Sequence, residues 1–251
     1  MTLPPASTQR PKRFWTSVGV VEADGGYAVA LDSRRVRTPA GHTLVLPTSA
    51  LAELVAGEWE AQGERVDMAT MHATRLAFTA ADHAAGARVG LIAEVARFAA
   101  TDLVCYFATA PASLVEMQAR RWGALLEWAE RERGLKFTRI HGVIHAPQPP
   151  RTLADVEALA GELGDYALAG LAFGAALFGS SVIALALQCD QLDGEAAFEL
   201  ARLDELFQET HWGVDEEAAV RAAKLRAEAM MLERWFAALR RGERWRSAAR
   251  N

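Results

Sequence analysis

The chain is poor in the residues and motifs that most recognisable chemistries need. Only two of its 251 residues are cysteine, and Cys105 and Cys189 both sit in apolar surroundings without CxxC or Cys/His spacing. That usage excludes a disulfide framework and a structural zinc site, and implies reduced, buried thiols in a cytosolic compartment. No phosphate loop of the GxxxxGK(S/T) type, no GxSxG elbow and no HExxH is present, and the glycines at 170, 174 and 179 lack the preceding strand that dinucleotide binding requires. Positive charge is not in excess: 27 Lys and Arg against 32 Asp and Glu leave a net charge of −5, which removes nucleic acid as an expected partner. The opening MTLPPASTQRPKR has no apolar h-region, so no secretory signal is expected. Its Pro, Ser and Arg content reads as a disordered arm over residues 1–12.

Charge is absent altogether from one stretch, Tyr166 to Cys189. A run of about 20 apolar residues is long enough to span a bilayer. Nine of these 24 residues are Leu, Ile, Val or Phe, worth about −3 to −5 kcal/mol together at a bilayer centre. Against that small sum stand Gly170, Gly174, Gly179, Ser180, Ser181 and Gln188, acidic flanks at Asp165 and Asp190, and no positive-inside signal. The run therefore reads as two buried helices broken at Gly179-Ser180-Ser181, where a glycine ends one and a serine caps the next. A helix apolar all round belongs inside a helical domain.

The rest of the chain divides by pattern. With 51% hydrophobic and 24% charged residues, one or two domains with a sizeable core are expected. From Phe14 to Pro47, short alternating runs (FWTSVGVVEA, YAVALD, RVRTP, HTLVLP) are separated by Asp24-Gly25-Gly26, Asp32-Ser33 and Pro39-Ala40-Gly41, which predicts a small antiparallel meander. Thr48 or Ser49 caps a helix running to about Gly63, with Leu51, Leu54, Val55, Ala56 and Trp59 on its apolar face. Residues 66–82 are ambiguous between a loop and a short helix. Helical spacing resumes from Ala87 to about Phe107, with a break near Thr101-Asp102. Ser113-Leu114-Val115-Glu116 has the form of a capping box, and Gly134 closes the helix it opens. KFTRIHGVIHAPQPP reads as an extended connection, Thr152 as the cap of the next helix, Phe198 to Phe207 as one amphipathic helix, and Asp215 as the cap of a last long helix. Strands followed by helices give an α+β fold, with a β-rich N-terminal domain over 13–80, a helical C-terminal domain over 81–240 and a solvated basic tail over 241–251.

Candidate chemistry is thin. His72, Asp82 and His83 do not share a helix face, and His141 and His145 lie in a stretch unsuited to a helix, so no metal is expected at either. Glu205, Glu209 and His211 suggest a carboxylate and imidazole cluster, the basis of an alternative reading as a soluble helical enzyme of unknown substrate. Asp102, beside LVCYF, reads as a helix cap or as a buried carboxylate with raised pKa. The segment FQETHWGVDEEA (207–218) differs in kind, since it gathers Gln208, Glu209, Trp212, Gly213, Asp215, Glu216 and Glu217 at one helix-to-helix corner. Two readings stay open there. Its acids stabilise a helix N-terminus while Trp212 plugs the corner, or an aromatic anchor rimmed by charge forms a protein-binding patch.

Taken in order, RFW (13–15), YAVALDSRRVRTP (27–39), LVLPTSALAELVAGEWEAQGERVD (44–67), TRLAFTAAD (74–82), DLVCYFA (102–108), Gln118 with Trp122, GSSVIALAL (179–187) and LDELFQETHWGVDEEA (203–218) resemble the ATP synthase F1 assembly chaperone family, which binds the free F1 α subunit. The similarity runs from Arg13 to about Leu239. VDMATMHATR (66–75) departs from it where the family often has prolines, and the Arg-rich end has no counterpart. The resemblance implies a β-rich domain followed by a larger helical one, no catalytic activity, no cofactor, and a monomer that transiently holds the unassembled α subunit until β displaces it. It also implies a cytoplasmic bacterial location, the mitochondrial matrix in eukaryotic relatives. Within the acidic corner it points to Glu209, supported by Gln208, Trp212, Asp215 and Glu216, as partner-binding residues.

Overall fold

Turn residues and alternating apolar positions build the N-terminal part first. The computed structural model describes residues 10–142, 144–213 and 216–248. Strands β1 (Val18–Ala23), β2 (Gly26–Leu31) and β3 (Arg34–Arg35) form an antiparallel meander with Val18 opposite Leu31 and Leu31 opposite Arg34. The turn into β3 holds Asp32 at φ 52°, and its carboxylate fastens it by accepting the Thr16 and Ser17 amides and hydroxyls at 2.9–3.3 Å. The expected HTLVLP strand is present only as isolated bridges, Arg37 to Thr43 and Tyr27 to Leu46. Helix α1 (Ser49–Glu60) starts where the sequence places it, with the Thr48 hydroxyl accepting the Leu51 amide, and covers the sheet with Leu51, Ala52 and Val55.

The ambiguous segment becomes a 3-10 turn (Met68–Thr70) followed by a 29-residue helix, α2 (His72–Ala100). Its start has no local cap. Instead the Glu58 carboxylate of α1 accepts the amides of Ala73 and Thr74 and the Thr74 hydroxyl at 2.7–2.8 Å, filling the unpaired donors of a helix N-terminus from outside. The boundary expected at residue 80 falls inside this helix. Residues 10–12, the last of the expected arm, are held by a Lys12–Arg65 bridge, the Val66 amide donating to the Pro11 carbonyl, and an Arg10–Asp67 ion pair.

Beyond α2, a second 3-10 turn (Leu103–Cys105) leads into β4 (Tyr106–Phe107), which pairs in parallel with β5 (Ile140–His141) inside the expected extended connection. Helix α3 (Ala112–Arg133) ends at Gly134, φ 70°. The capping box is not used: α3 begins two residues earlier, with Pro111 at its N-cap position, and Ser113 lies within it. Helix α4 (Pro150–Glu162) likewise starts without Thr152, whose hydroxyl donates to the Lys136 carbonyl and pins the preceding connection. The uncharged run is two helices, α5 (Asp165–Phe178) and α6 (Ser181–Gln188), with Gly179 left-handed and Ser180 accepting the Ile183 amide. No helix among the described residues is long and apolar enough to cross a membrane. The helix expected over 198–207 is two, α7 (Gly194–Ala201) and α8 (Leu203–Trp212), parted at Arg202, and α9 (Glu216–Ala248) extends into the expected tail. The fold is α+β.

Helix α9 closes the structure. Trp235 and Phe236 are fully buried against α5, an approach that Gly170 permits: a Cβ there would meet the Trp235 and Phe236 rings at 2.8–3.0 Å. Trp235 Nε1 donates to the Tyr166 carbonyl, while Tyr166 donates to the Val45 carbonyl and the Thr48 hydroxyl to Ala238, so a partly buried and a buried bond tie the sheet region to the helical layer. Of the two cysteines, Cys105 is buried and Cys189 only partly so. At Gly194 a Cβ would sit 2.8–2.9 Å from the Met230 and Ala229 backbone, which cannot rotate away. Gly194→Ala is therefore expected to cost about 1–3 kcal/mol in urea denaturation. Gly57→Ala, in open space on α1, should stabilise by about 0.5–1 kcal/mol; equal effects at the two sites would refute the close α7–α9 packing.

Candidate functional site

The acidic corner is built by two helix ends, the last turn of α8 and the first of α9. Gly213, φ 82°, stops α8 and donates its amide to the Glu209 carbonyl at 3.0 Å. Helix α9 then begins with exposed Glu216 and Glu217 in its first turn, where unpaired amides favour negative charge. Gln208 also faces outward. Glu209 does not: its Oε1 accepts from Arg202 Nη2 at 2.6 Å, with only 20% and 11% of the two side chains exposed. The Arg202 guanidinium in turn lies 5.8 Å from the Phe198 ring. Thus the structure brings Gln208 and Glu216 to the surface and turns Glu209 onto α7–α8. Asp215 and the side chains of His211 and Trp212 lie outside the described residues.

Beside the corner runs a groove of about 690 Å³, lined on one side by Arg202 and Glu205, on another by Arg221 and Leu225 of α9, and floored by Leu103 and Gly179. That floor is held by Asp102, which is fully buried. One of its oxygens accepts the Val104 amide at 3.3 Å and the other the Val182 amide at 3.0 Å, and the Ser180 side chain also bonds it. Both readings of Asp102 therefore hold at once. Desolvation outweighs these bonds and raises its pKa to about 7. The Leu103 amide donates to Gly179 and the Ser181 hydroxyl to Val95, completing the seam between the end of α2 and the α5–α6 break.

Helix α3 braces the other side. Gln118 is buried and bonds both ways, accepting the Ala108 amide and donating to Asp204 at 2.7 Å each, while Trp122 Nε1 donates to the Leu200 carbonyl. Burial raises the Asp204 carboxyl, with Gln118 opposing. Sequence reasoning assigned Arg202 only to the polar face of an amphipathic helix. Its seven-residue spacing from Glu209, two turns along one helix face, was the available signal. Nothing in sequence linked Gln118 to Asp204.

No group of three or more His, Cys, Asp or Glu side chains among the described residues is placed to hold a metal. His72 instead faces Glu228 at 3.4 Å, outside good hydrogen-bond geometry, and Asp82 accepts the Ala40 amide with His42 at 3.5 Å. Tyr106 shares a hydrogen bond with His145 at 2.9 Å.

Comparison with known proteins agrees with this architecture. Residues 12–130 match the family model for the ATP12 chaperone protein. The crystal structure of Atp12 from Paracoccus denitrificans superposes with a TM-score of 0.83 at 39% identity, covering 90% of this chain and 97% of the other. A proposed chaperone from Agrobacterium tumefaciens gives a TM-score of 0.87 at 36% identity, covering 91% and 86%. Mitochondrial atp12 of Schizosaccharomyces pombe is 24% identical over 219 residues, 82% of this chain and 75% of its own.

The Asp102 seam gives a pH signature. An acid whose folded pKa is about 7 against 3.8 when solvated keeps a proton in the folded state that the unfolded state has released. Its contribution to stability is therefore fully retained below about pH 4 and falls as pH rises toward 7, by up to about 4 kcal/mol at 1.36 kcal/mol per unit. Thermal melts at pH 5 and pH 8 should show the wild type losing more stability than Asp102→Asn, which has no proton to lose. Equal losses would mean that Asp102 is ionised inside the fold.

Proposed function

Because the chain belongs to the ATP12 chaperone family, we propose that it is an ATP-independent assembly factor for the F1 part of ATP synthase. Its client in this reading is the unassembled α subunit, which it keeps from aggregating until β takes its place. The observation that carries the reading is the 39% identity to Paracoccus denitrificans Atp12 over 90% of the chain. A subunit made before its neighbour exposes the surface that the neighbour will cover, and a large exposed apolar patch is an aggregation hazard. Reversible occupancy protects by RT ln(1 + [L]/Kd), so moderate affinity suffices and release needs no fuel. Catalysis, a cofactor and membrane insertion have no part in it.

The corner that ends α8 and opens α9 is assigned as the client-binding surface, with Gln208, Glu209, Trp212, Asp215 and Glu216 as its residues. Support comes from the exposure of Gln208 and Glu216 and from the groove alongside. Glu209 is half-hidden, so its carboxylate either reaches the client by leaving Arg202 or shapes the surface from behind.

Co-expression with F1 α, and separately with β, tests the reading: α should become soluble and co-elute on sizing while β is unaffected, and no effect on either subunit would overturn it. A charge swap then separates the two roles of Glu209. Glu209→Lys should lose α protection and cost about 1–3 kcal/mol, since it leaves a poorly exposed cation facing another. Arg202→Glu combined with Glu209→Lys restores an ion pair and should recover thermal stability without recovering α protection. If protection returns with stability, Glu209 is a structural residue and not a contact.

A further inference from the structure

The acidic corner leaves unexplained a second surface, at the opposite chemical extreme. On the N-terminal sheet a groove of about 700 Å³ is lined by Phe14, Arg34, Arg35, Arg37, Thr43 and Trp59, with buried Leu31 and Val36 beneath. Phe14 is 61% exposed, and its ring centre lies 5.8 Å from the Arg34 guanidinium. Arg34, Arg35 and Arg37 form no ion pair among the described residues. Arg35 and Arg37 donate only to the backbone carbonyls of Glu22 and Gly41, and Asp32, the nearest acid in sequence, is turned to Thr16 and Ser17. Trp59 Nε1 is buried with no acceptor. Guanidinium and indole N–H groups donate and never accept, so the groove offers donors only: three guanidinium groups that no carboxylate pairs, two of them with one N–H already on a backbone carbonyl, and the Trp59 indole N–H.

The geometry points to a docking surface for an extended acidic segment of a partner polypeptide, its carboxylates bonded by Arg35 and Arg37 and an apolar side chain seated on Phe14. Arg35 and Arg37 are two residues apart in extended backbone, about 7 Å along the chain, the same interval that separates alternate side chains of an extended ligand. Charge complementarity selects the partner: guanidinium pairs with carboxylate through two parallel bonds. A long polyanion such as nucleic acid is disfavoured, because the chain as a whole carries −5 and only this patch attracts it. A short acidic stretch meets the patch alone.

Fluorescence anisotropy of the full chain with a fluorescein-labelled peptide of alternating Glu and Gly, bearing one central Phe, tests this. Binding should weaken with added salt, fall at least tenfold in Arg35→Glu/Arg37→Glu, fall several-fold in Phe14→Ser, and vanish when Gln replaces Glu in the peptide. If the double reversal unfolds by circular dichroism, Arg35→Gln/Arg37→Gln carries the same comparison. Wild-type affinity in the folded arginine variants, equal binding of the Gln peptide, or tighter binding of a labelled oligothymidylate would each overturn the proposal. None of these readouts involves the F1 α subunit, so the proposal fails or stands apart from the chaperone assignment.

Discussion

A helix that ends inside a protein leaves amides and carbonyls that water cannot reach, and this chain has to end two such helices back to back. The uncharged run of α5 and α6 gains its burial only if the break at Gly179-Ser180-Ser181 is supplied with partners. Asp102 is the answer to that need. One buried carboxylate binds the first turn of α6 and the 3-10 turn after α2 together, and Ser180, Ser181 and Gly179 complete the set. The cost is a carboxyl held away from water without a cation, which is why its pKa rises. Removing the seam would free α6, then the face on which α3 and α7 rest, and with it the floor of the groove beside the acidic corner.

How much of this was legible depended on whether the stabilising partner was near in sequence. The break at Gly179, the Thr48 cap, the Gly134 stop and the antiparallel hairpins are all decided within a few residues, and local chemistry predicts them. The failures share one cause. Glu58 caps α2 from 15 residues away, Thr152 bonds Lys136 instead of its own helix, and the serine of an apparent capping box is bypassed because the helix starts earlier. Local rules weigh local competitors only, and tertiary partners displaced them. At the site the acids of the corner were visible, but the inward turn of Glu209 was not: the seven-residue spacing was there, while the amphipathic pattern put Arg202 on a solvated face and not against a carboxylate.

The corner and the donor-rich groove are two surface sites of opposite chemistry. Exposed acids gather where α9 begins, and unpaired guanidinium groups gather on the meander. Each is mounted on a rigid base, the first on helices braced by Gln118 and Trp122, the second on a sheet whose tight turn is locked by Asp32. Such mounting lowers the conformational entropy lost on binding, so modest contact areas give useful but reversible affinity.

The bond from Thr48 to Ala238 joins residues 190 positions apart. On the ribosome, α1 and α5 are therefore complete long before the helix that shields them, and Gly170 faces solvent until Trp235 has been made. Domains tend to fold as their sequence emerges, yet here the anchor that ties the first helix to the helical layer and the cover of the most apolar run both wait for the last helix. Until α9 has been made, the chain therefore carries an uncovered apolar face of its own on α5.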